Sequence, residues 1–293
     1  MKILNKIESF LNSIEKSVTE TLSNGFNLVF GKIEELVMGT YKKLKGDTLM
    51  ISRDSVTRMN RLKIRLEKFT SKLGSFFTRP FKKIFNSVNK SGVQTGKQLI
   101  RESDKSIKIV SDGILKPETN ELQASSLNNI LHGLFQNLNQ NITALVSQGV
   151  GQNWSQKQLS ESMRNQLKIQ KTRAETVSKT NVMSAFNNSV QAVYVKSGIT
   201  HVRLFATNDE RTCPTCVYRN MNVYKIGTIM TPLHFRCRCL LLPYNPTQKD
   251  LEWEKKHYDS MKSGFKGKLN KGVSQSEKNA GLTSPPNPFF TFN

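Results

Sequence analysis

Two short stretches decide the fold of the C-terminal part of this chain: Cys213-Pro214-Thr215-Cys216 and, seventeen residues later, His234-Phe235-Arg236-Cys237-Arg238-Cys239. A Cys-Pro-x-Cys turn places two sulfur atoms on one side of a tight knuckle. His234 and Cys237 repeat the same spacing of three residues. Because two such knuckles can supply the tetrahedral donors of Zn²⁺, the sequence predicts a structural zinc site.

Five donors compete for the four positions of that site. Cys213 and Cys216 are the firm pair, and the second pair is most simply His234 with Cys237. Cys237 with Cys239 and His234 with Cys239 stay open, because on a strand residues 237 and 239 point to the same face. Disulfides or plain buried thiols are the alternatives to metal. Thiols clustered in a protein made in a reducing cytoplasm more often bind metal.

A catalytic zinc site is not expected here. Asp209 and Glu210 could serve as general base to a metal-bound water, but sites with four thiolate or imidazole ligands are closed to substrate. No His-x-Glu signature precedes the cysteines, and His132, His201 and His257 form no spaced pair. We therefore predict a protein that is not an enzyme and has no small-molecule substrate. A zinc-dependent nuclease or toxin is the enzyme alternative.

The elements that flank the cysteines are predicted from periodicity and capping. Residues 201–207 alternate as a strand, and the apolar run 240–242 could pair with it. Capping-box spacing predicts helix starts at Ser155 and at Thr172, the second helix reaching Tyr194.

The N-terminal part of the chain is predicted to be helical throughout. Apolar residues recur every three or four positions over residues 3–22, and a second series follows Gly25. A third series over residues 59–76 is halted by Pro80 and resumes from residue 81 to residue 88. A further helix is expected to end near Gly149. These helices need a partner surface for their apolar faces.

Charge indicates a polyanionic or acidic neighbour. The 293 residues contain 44 Lys and Arg against 22 Asp and Glu, a net charge of +22. Residues 58–97 alone contain eleven basic residues and one acidic residue, Glu67, which predicts a basic amphipathic helix or helix pair. The candidate nucleic-acid contacts are Arg58, Arg61, Lys63, Arg65, Lys68, Lys72, Arg79, Lys82 and Lys83. A membrane-active alternative would bury Phe69, Phe76, Phe77, Phe81 and Phe85 in an anionic lipid interface.

These observations predict a mainly α fold with a small α+β zinc-knuckle domain near the C-terminus, an elongated N-terminal helical arm and a flexible C-terminal tail. The expected divisions are a basic amphipathic arm over residues 1–117, a helical plus α+β domain over 118–245, and the tail over 246–293. No signal peptide and no apolar window of 18 to 20 residues is evident, so we expect a soluble protein.

The motifs resemble a known family. The block Arg173-Ala174-Glu175, the stretch Asp209-Glu210-Arg211-Thr212-Cys213-Pro214-Thr215-Cys216 and the stretch from Pro232 to Cys239 look like the minor head proteins of tailed bacteriophages, the phage Mu F-like head morphogenesis proteins. The resemblance covers about residues 149 to 243. This chain departs from the family pattern at Phe235, where proline is usual, and at Asn220-Met221-Asn222, where a glycine is common.

The resemblance implies a structural virion component associated with the portal vertex. Such a protein would act in head morphogenesis, DNA packaging or DNA delivery, and would lie in the host cytoplasm during assembly. The implied partners are the portal protein, a capsid or scaffold protein and genomic DNA, with a membrane as the weaker alternative. A sequence-nonspecific DNA-binding or membrane-active ejection protein is the competing function.

Overall fold

The computed structural model describes residues 2–45, 53–71, 73–110, 112–207 and 210–248. Within these ranges the chain is mainly helical, with a small three-stranded sheet near its C-terminal end. The predicted fold class is confirmed. The predicted tail lies outside the described residues apart from residues 246–248.

Five long helices make up most of the described chain. Their bounds are α1 Lys2–Lys45, α2 Arg53–Ser71, α3 Leu73–Ser103, α4 Pro117–Gly151 and α5 Gln156–Lys196. Each carries apolar residues at steps of three or four, and these residues are buried together in one hydrophobic core. None of the described helices is long and apolar enough to cross a membrane.

Helix α1 does not break at Gly25, where the sequence suggested two separate helices. A Cβ atom at Gly25 would lie 2.4 Å from the ring of Phe77, so the absence of a side chain lets α3 approach α1. Phe26 stacks in the same region, 5.1 Å from Phe135 of α4 between ring centroids. The glycine is therefore a packing position and not a helix terminus.

Two further helix boundaries inferred from the sequence are wrong. Pro80 lies inside α3, between the buried Phe77 and Phe81. Burial of two phenylalanines offsets the cost of about 3 kcal/mol for proline in a helix. Thr172 lies inside α5, where its hydroxyl donates to the Lys168 carbonyl. The true start of α5 is the predicted Ser155, whose capping box with Gln158 is complete.

Helix α5 joins the N-terminal helices to the C-terminal sheet. It contacts α1, α3, α4 and the last strand of the sheet. Its approach to α3 is close at Gly92 and Gly96, where a Cβ would lie 2.7 Å from the Phe186 carbonyl oxygen and 3.0 Å from the Val193 Cβ respectively. The predicted division between residues 117 and 118 falls in the first turn of α4, and helices on both sides of it share one core.

The sheet consists of β1 His201–Phe205, β2 Val223–Lys225 and β3 Leu240–Tyr244, in the order β2-β1-β3. Both pairings are antiparallel, and Phe205 lies opposite Leu240, as the alternation around residues 201–207 suggested. A short helix, α6 Pro214–Arg219, connects β1 to β2. The sheet is fixed to the bundle by Tyr194, whose hydroxyl donates to the Leu241 carbonyl over 3.0 Å.

Candidate metal centre

The first knuckle is built at the start of α6. Cys213 is the N-cap of this helix, and its Sγ accepts a hydrogen bond from the Cys216 amide over 3.4 Å. Pro214 occupies the first turn, where its missing N–H costs nothing. The Cys-Pro-x-Cys turn therefore places both sulfur atoms on the same side. Cys216 is buried there and Cys213 is half-buried.

The second knuckle lies between β2 and β3 and is closed by the Cys237 amide, which donates to the His234 carbonyl over 3.1 Å. Arg236 takes a left-handed conformation with φ of 62° to make this turn. Its amide donates to Thr180 Oγ1 over 3.1 Å, and its Nε donates to Thr176 Oγ1 over 2.9 Å. The knuckle is thus fastened to the exposed side of α5.

The two knuckles bring all five predicted donors together. His234 Nε2 lies 3.1 Å from Cys213 Sγ and 3.2 Å from Cys216 Sγ, and the Sγ atoms of Cys216 and Cys237 are 3.8 Å apart. The donors form two overlapping triads, Cys213 with Cys216 and His234, and Cys216 with Cys237 and Cys239. Cys216 belongs to both triads and is therefore central to the cluster.

These distances suit a metal ion. Donors 2.3 Å from a tetrahedral Zn²⁺ are separated by about 3.8 Å, the observed spacing of Cys216 and Cys237. His234 Nδ1 lies 2.7 Å from the Phe235 carbonyl oxygen, and a hydrogen bond there leaves Nε2, the atom facing the sulfur atoms, as the ligand nitrogen. All four cysteines are free. The cluster can hold a metal ion.

The thiols differ in how easily they ionise. A hydrogen bond from the Cys239 thiol, assisted by backbone N–H groups, lowers the pKa of Cys237 to about 5. Burial raises the pKa of Cys216 to about 12. The hydrogen bond to Cys237 and burial together raise the pKa of Cys239.

The other groups considered for catalysis do not converge on the cluster in the described chain. Asp209 and His257 lie outside the described residues, and Glu210 is exposed in a turn. His132 lies on α4 beside Gln136, and His201 lies on β1 within 2.9 Å of the Thr200 hydroxyl.

The predicted nucleic-acid residues are distributed over two helices. On α2, Arg58, Arg61, Arg65 and Lys68 recur at steps of three and four and share one side, while Lys63 points elsewhere. On α3, Arg79 and Lys83 are exposed, and Lys82 pairs with Glu121 of α4. Lys72 lies outside the described residues.

Several residues that shape the site were not predicted from the sequence. Thr176 and Thr180 anchor the second knuckle, and Asn187 donates to the Cys239 carbonyl over 3.1 Å. Only the helical spacing of four between the two threonines hinted at a shared face. In the turn after α6, where the family commonly has a glycine, Met221 takes the left-handed conformation, with φ of 65°.

The cluster, the strands around it and the end of α5 form one unit that can be compared with known proteins. Residues 140–242 match the family model described as Phage Mu protein F like protein. This match confirms the resemblance inferred from the cysteine motifs, and it covers about a third of the chain. At the level of the family it supports a phage head-morphogenesis protein and points to the virion. No curated protein and no solved structure matches the chain significantly.

Proposed function

We propose that this chain is a structural minor head protein of a tailed bacteriophage that associates with the portal vertex and acts in head morphogenesis and in DNA packaging or delivery. The observation that carries the proposal is the family match over residues 140–242, which spans both knuckles, β1, β2 and the start of β3. The closed arrangement of the cysteines and the histidine agrees with a structural role and not with catalysis.

The proposal includes a structural Zn²⁺ held by Cys213, Cys216, His234 and Cys237. The first three donors already form one triad, and Cys237 closes the second knuckle beside Cys216. Cys239 is then a neighbour that hydrogen-bonds the Cys237 sulfur. A bound zinc ion would cross-link α6 to the segment before β3. Without the ion, only the sheet connects these two segments.

A protein partner such as the portal, capsid or scaffold protein is proposed to meet the module at α6. Val217, Tyr218 and Met221 are exposed there, and Tyr218 is 83% exposed. Tyrosine and methionine are enriched in protein interfaces, and large apolar side chains grouped on one turn suit such a contact.

Sequence-nonspecific DNA binding is a second proposed function. The supporting observation is the stripe of Arg61, Arg65 and Lys68 on one side of α2, which is exposed and makes no ion pair among the described residues. The membrane alternative has less support, because Phe77, Phe81 and Phe85 are buried in the bundle core. Of its other two phenylalanines, Phe69 is half-buried and Phe76 is 42% exposed.

A nonsense mutation in the gene that encodes this chain, in its own phage, tests the head-protein proposal. We expect the mutant to release fewer particles that contain DNA, and expression of the intact chain in trans should restore them. Normal numbers of infectious, DNA-filled particles from the mutant would overturn the proposal.

A further inference from the structure

One long surface of the bundle is made almost entirely of cations and hydrogen-bond donors. It is the solvent-facing side of α3, here called the basic face of α3. Its residues are Arg79, Lys83, Asn86, Ser87, Lys90, Gln94, Lys97, Gln98 and Arg101. All are exposed except Lys97, which is half-buried, and the face contains neither an acidic nor an apolar side chain.

The cations on this face are ordered along the helix. Lys83, Lys90 and Lys97 are seven residues apart, and Arg79 and Arg101 extend the row by four residues at each end. Two turns of helix separate residues seven apart, so the row stays on one side. At 1.5 Å per residue the row is about 33 Å long, close to one turn of B-DNA.

The five cations are available to a ligand. Among the residues that the structure describes, none of them makes an ion pair, whereas their neighbour Lys82 is paired with Glu121. The opposite side of α3 is buried and fixed against α5, closely enough at Gly92 that no side chain fits. The packing against α5 therefore holds this face in place before any ligand binds.

The chemistry of the face selects one kind of ligand. Insertion into a membrane needs exposed apolar side chains beside the cations. The Phe, Ile, Leu and Val side chains of α3 between Arg79 and Arg101 are buried, and the exposed Phe76 lies before this row. A row of lysines and arginines interspersed with Asn, Ser and Gln matches the phosphate and sugar contacts that position proteins on duplex DNA.

We propose that the basic face of α3 binds the phosphate backbone of duplex DNA without reading its sequence. This inference deepens the proposed DNA-binding function and rests on it. It adds Lys90, Lys97 and Arg101 to the contacts and places α3, not α2, at the centre of the site. Because the contacts are to phosphate, binding releases counterions and weakens steeply with salt.

The test is the affinity of the full-length, zinc-supplied protein for a fluorescent 30-base-pair duplex of mixed sequence between 50 and 200 mM salt. The α3 variant is Lys83→Gln, Lys90→Gln and Lys97→Gln together. The α2 variant is Arg61→Gln, Arg65→Gln and Lys68→Gln. A charge-matched control removes three exposed lysines from other surfaces, Lys42→Gln, Lys157→Gln and Lys168→Gln.

We expect the logarithmic salt slope of the α3 variant to be shallower by about 2.7, at about 0.9 per lost phosphate contact. Over this fourfold salt range the wild type should therefore lose about 40-fold more affinity than the α3 variant. The control should retain the wild-type slope. Every substitution is on an exposed side chain except Lys97→Gln, whose side chain is half-buried, and the helical circular dichroism of each variant verifies its fold.

Any other result of the DNA-binding assay overturns a specific part of the proposal. Equal slopes for the α3 variant and the control would overturn the assignment to α3, and a loss confined to the α2 variant would leave DNA binding while moving the site. If the wild-type protein does not bind the duplex but binds vesicles of phosphatidylserine and phosphatidylcholine, both the DNA-binding function and this site are overturned. The head-protein proposal is tested separately by the nonsense mutant.

Discussion

Replacement of Gly92 by alanine tests the close contact between α3 and α5 that joins the N-terminal helices to the C-terminal module. The new Cβ would lie 2.7 Å from the Phe186 carbonyl oxygen and 2.8 Å from the Ser189 Cβ. Contacts this short force the helices apart. They also strain the hydrogen bond from Ser189 to Asn89, which is 2.9 Å long and buried.

The expected cost follows from two opposing effects. Overpacking in a core costs about 1 to 3 kcal/mol. Alanine in place of glycine within a helix recovers about 0.5 to 1 kcal/mol. These values leave a net cost between about 0 and 2.5 kcal/mol, and we expect Gly92→Ala to lower the free energy of unfolding by about 1 kcal/mol. For a chain of this size that lowers Tm by a few degrees, at about 2 to 4 °C per kcal/mol.

Gly31→Ala is the matched control. Gly31 lies in α1, and apart from the nearby backbone of that helix no atom lies within 4 Å of the position its Cβ would take. Only the gain in helix propensity therefore applies. Thermal unfolding followed by circular dichroism should show the two variants shifting Tm in opposite directions. A rise in Tm for Gly92→Ala similar to that for Gly31→Ala would refute the packing of α3 on α5.

Three predictions concern the metal centre. Cys216→Ser, which removes the donor shared by both triads, should abolish zinc binding measured by atomic absorption, whereas Cys239→Ser should keep one zinc per chain at about 10- to 100-fold lower affinity. Chelation of zinc should expose residues 210–248 to protease while the helical bundle resists, because the free energy of zinc binding contributes to the folding of this segment. Equal protease resistance with and without chelator would argue against a zinc cross-link. Thr180→Val removes the acceptor of the Arg236 amide and should speed zinc loss to a chelator and cost about 1 kcal/mol, while Thr172→Val, on the same helix, should do neither.

The sequence predicted features that depend on residues close together in the chain. The two knuckles and the capping box at Ser155 are local, since their donors and acceptors lie within three residues. The pairing of Phe205 with Leu240 is not local, but the alternation over residues 201–207 and the apolar run 240–242 identified these two strands. Strand β2 was not predicted.

Features set by packing between distant helices were not predictable in this way. Gly25 and Pro80 interrupt a local helical pattern, yet the burial of Phe77 between them in space keeps both helices continuous. The anchoring of Arg236 by Thr180 depends on how α5 meets the second knuckle, 56 residues away in sequence. No spacing of residues along the chain predicts this contact between α5 and the second knuckle.

Quantitative mass spectrometry of gradient-purified particles tests the central claim, that this chain is a minor head protein, most directly. The copy number of the chain would be compared with those of the portal and major capsid proteins in both procapsids and mature particles. The account predicts a low, fixed copy number relative to the portal protein. Absence of the chain from both kinds of particle would contradict it.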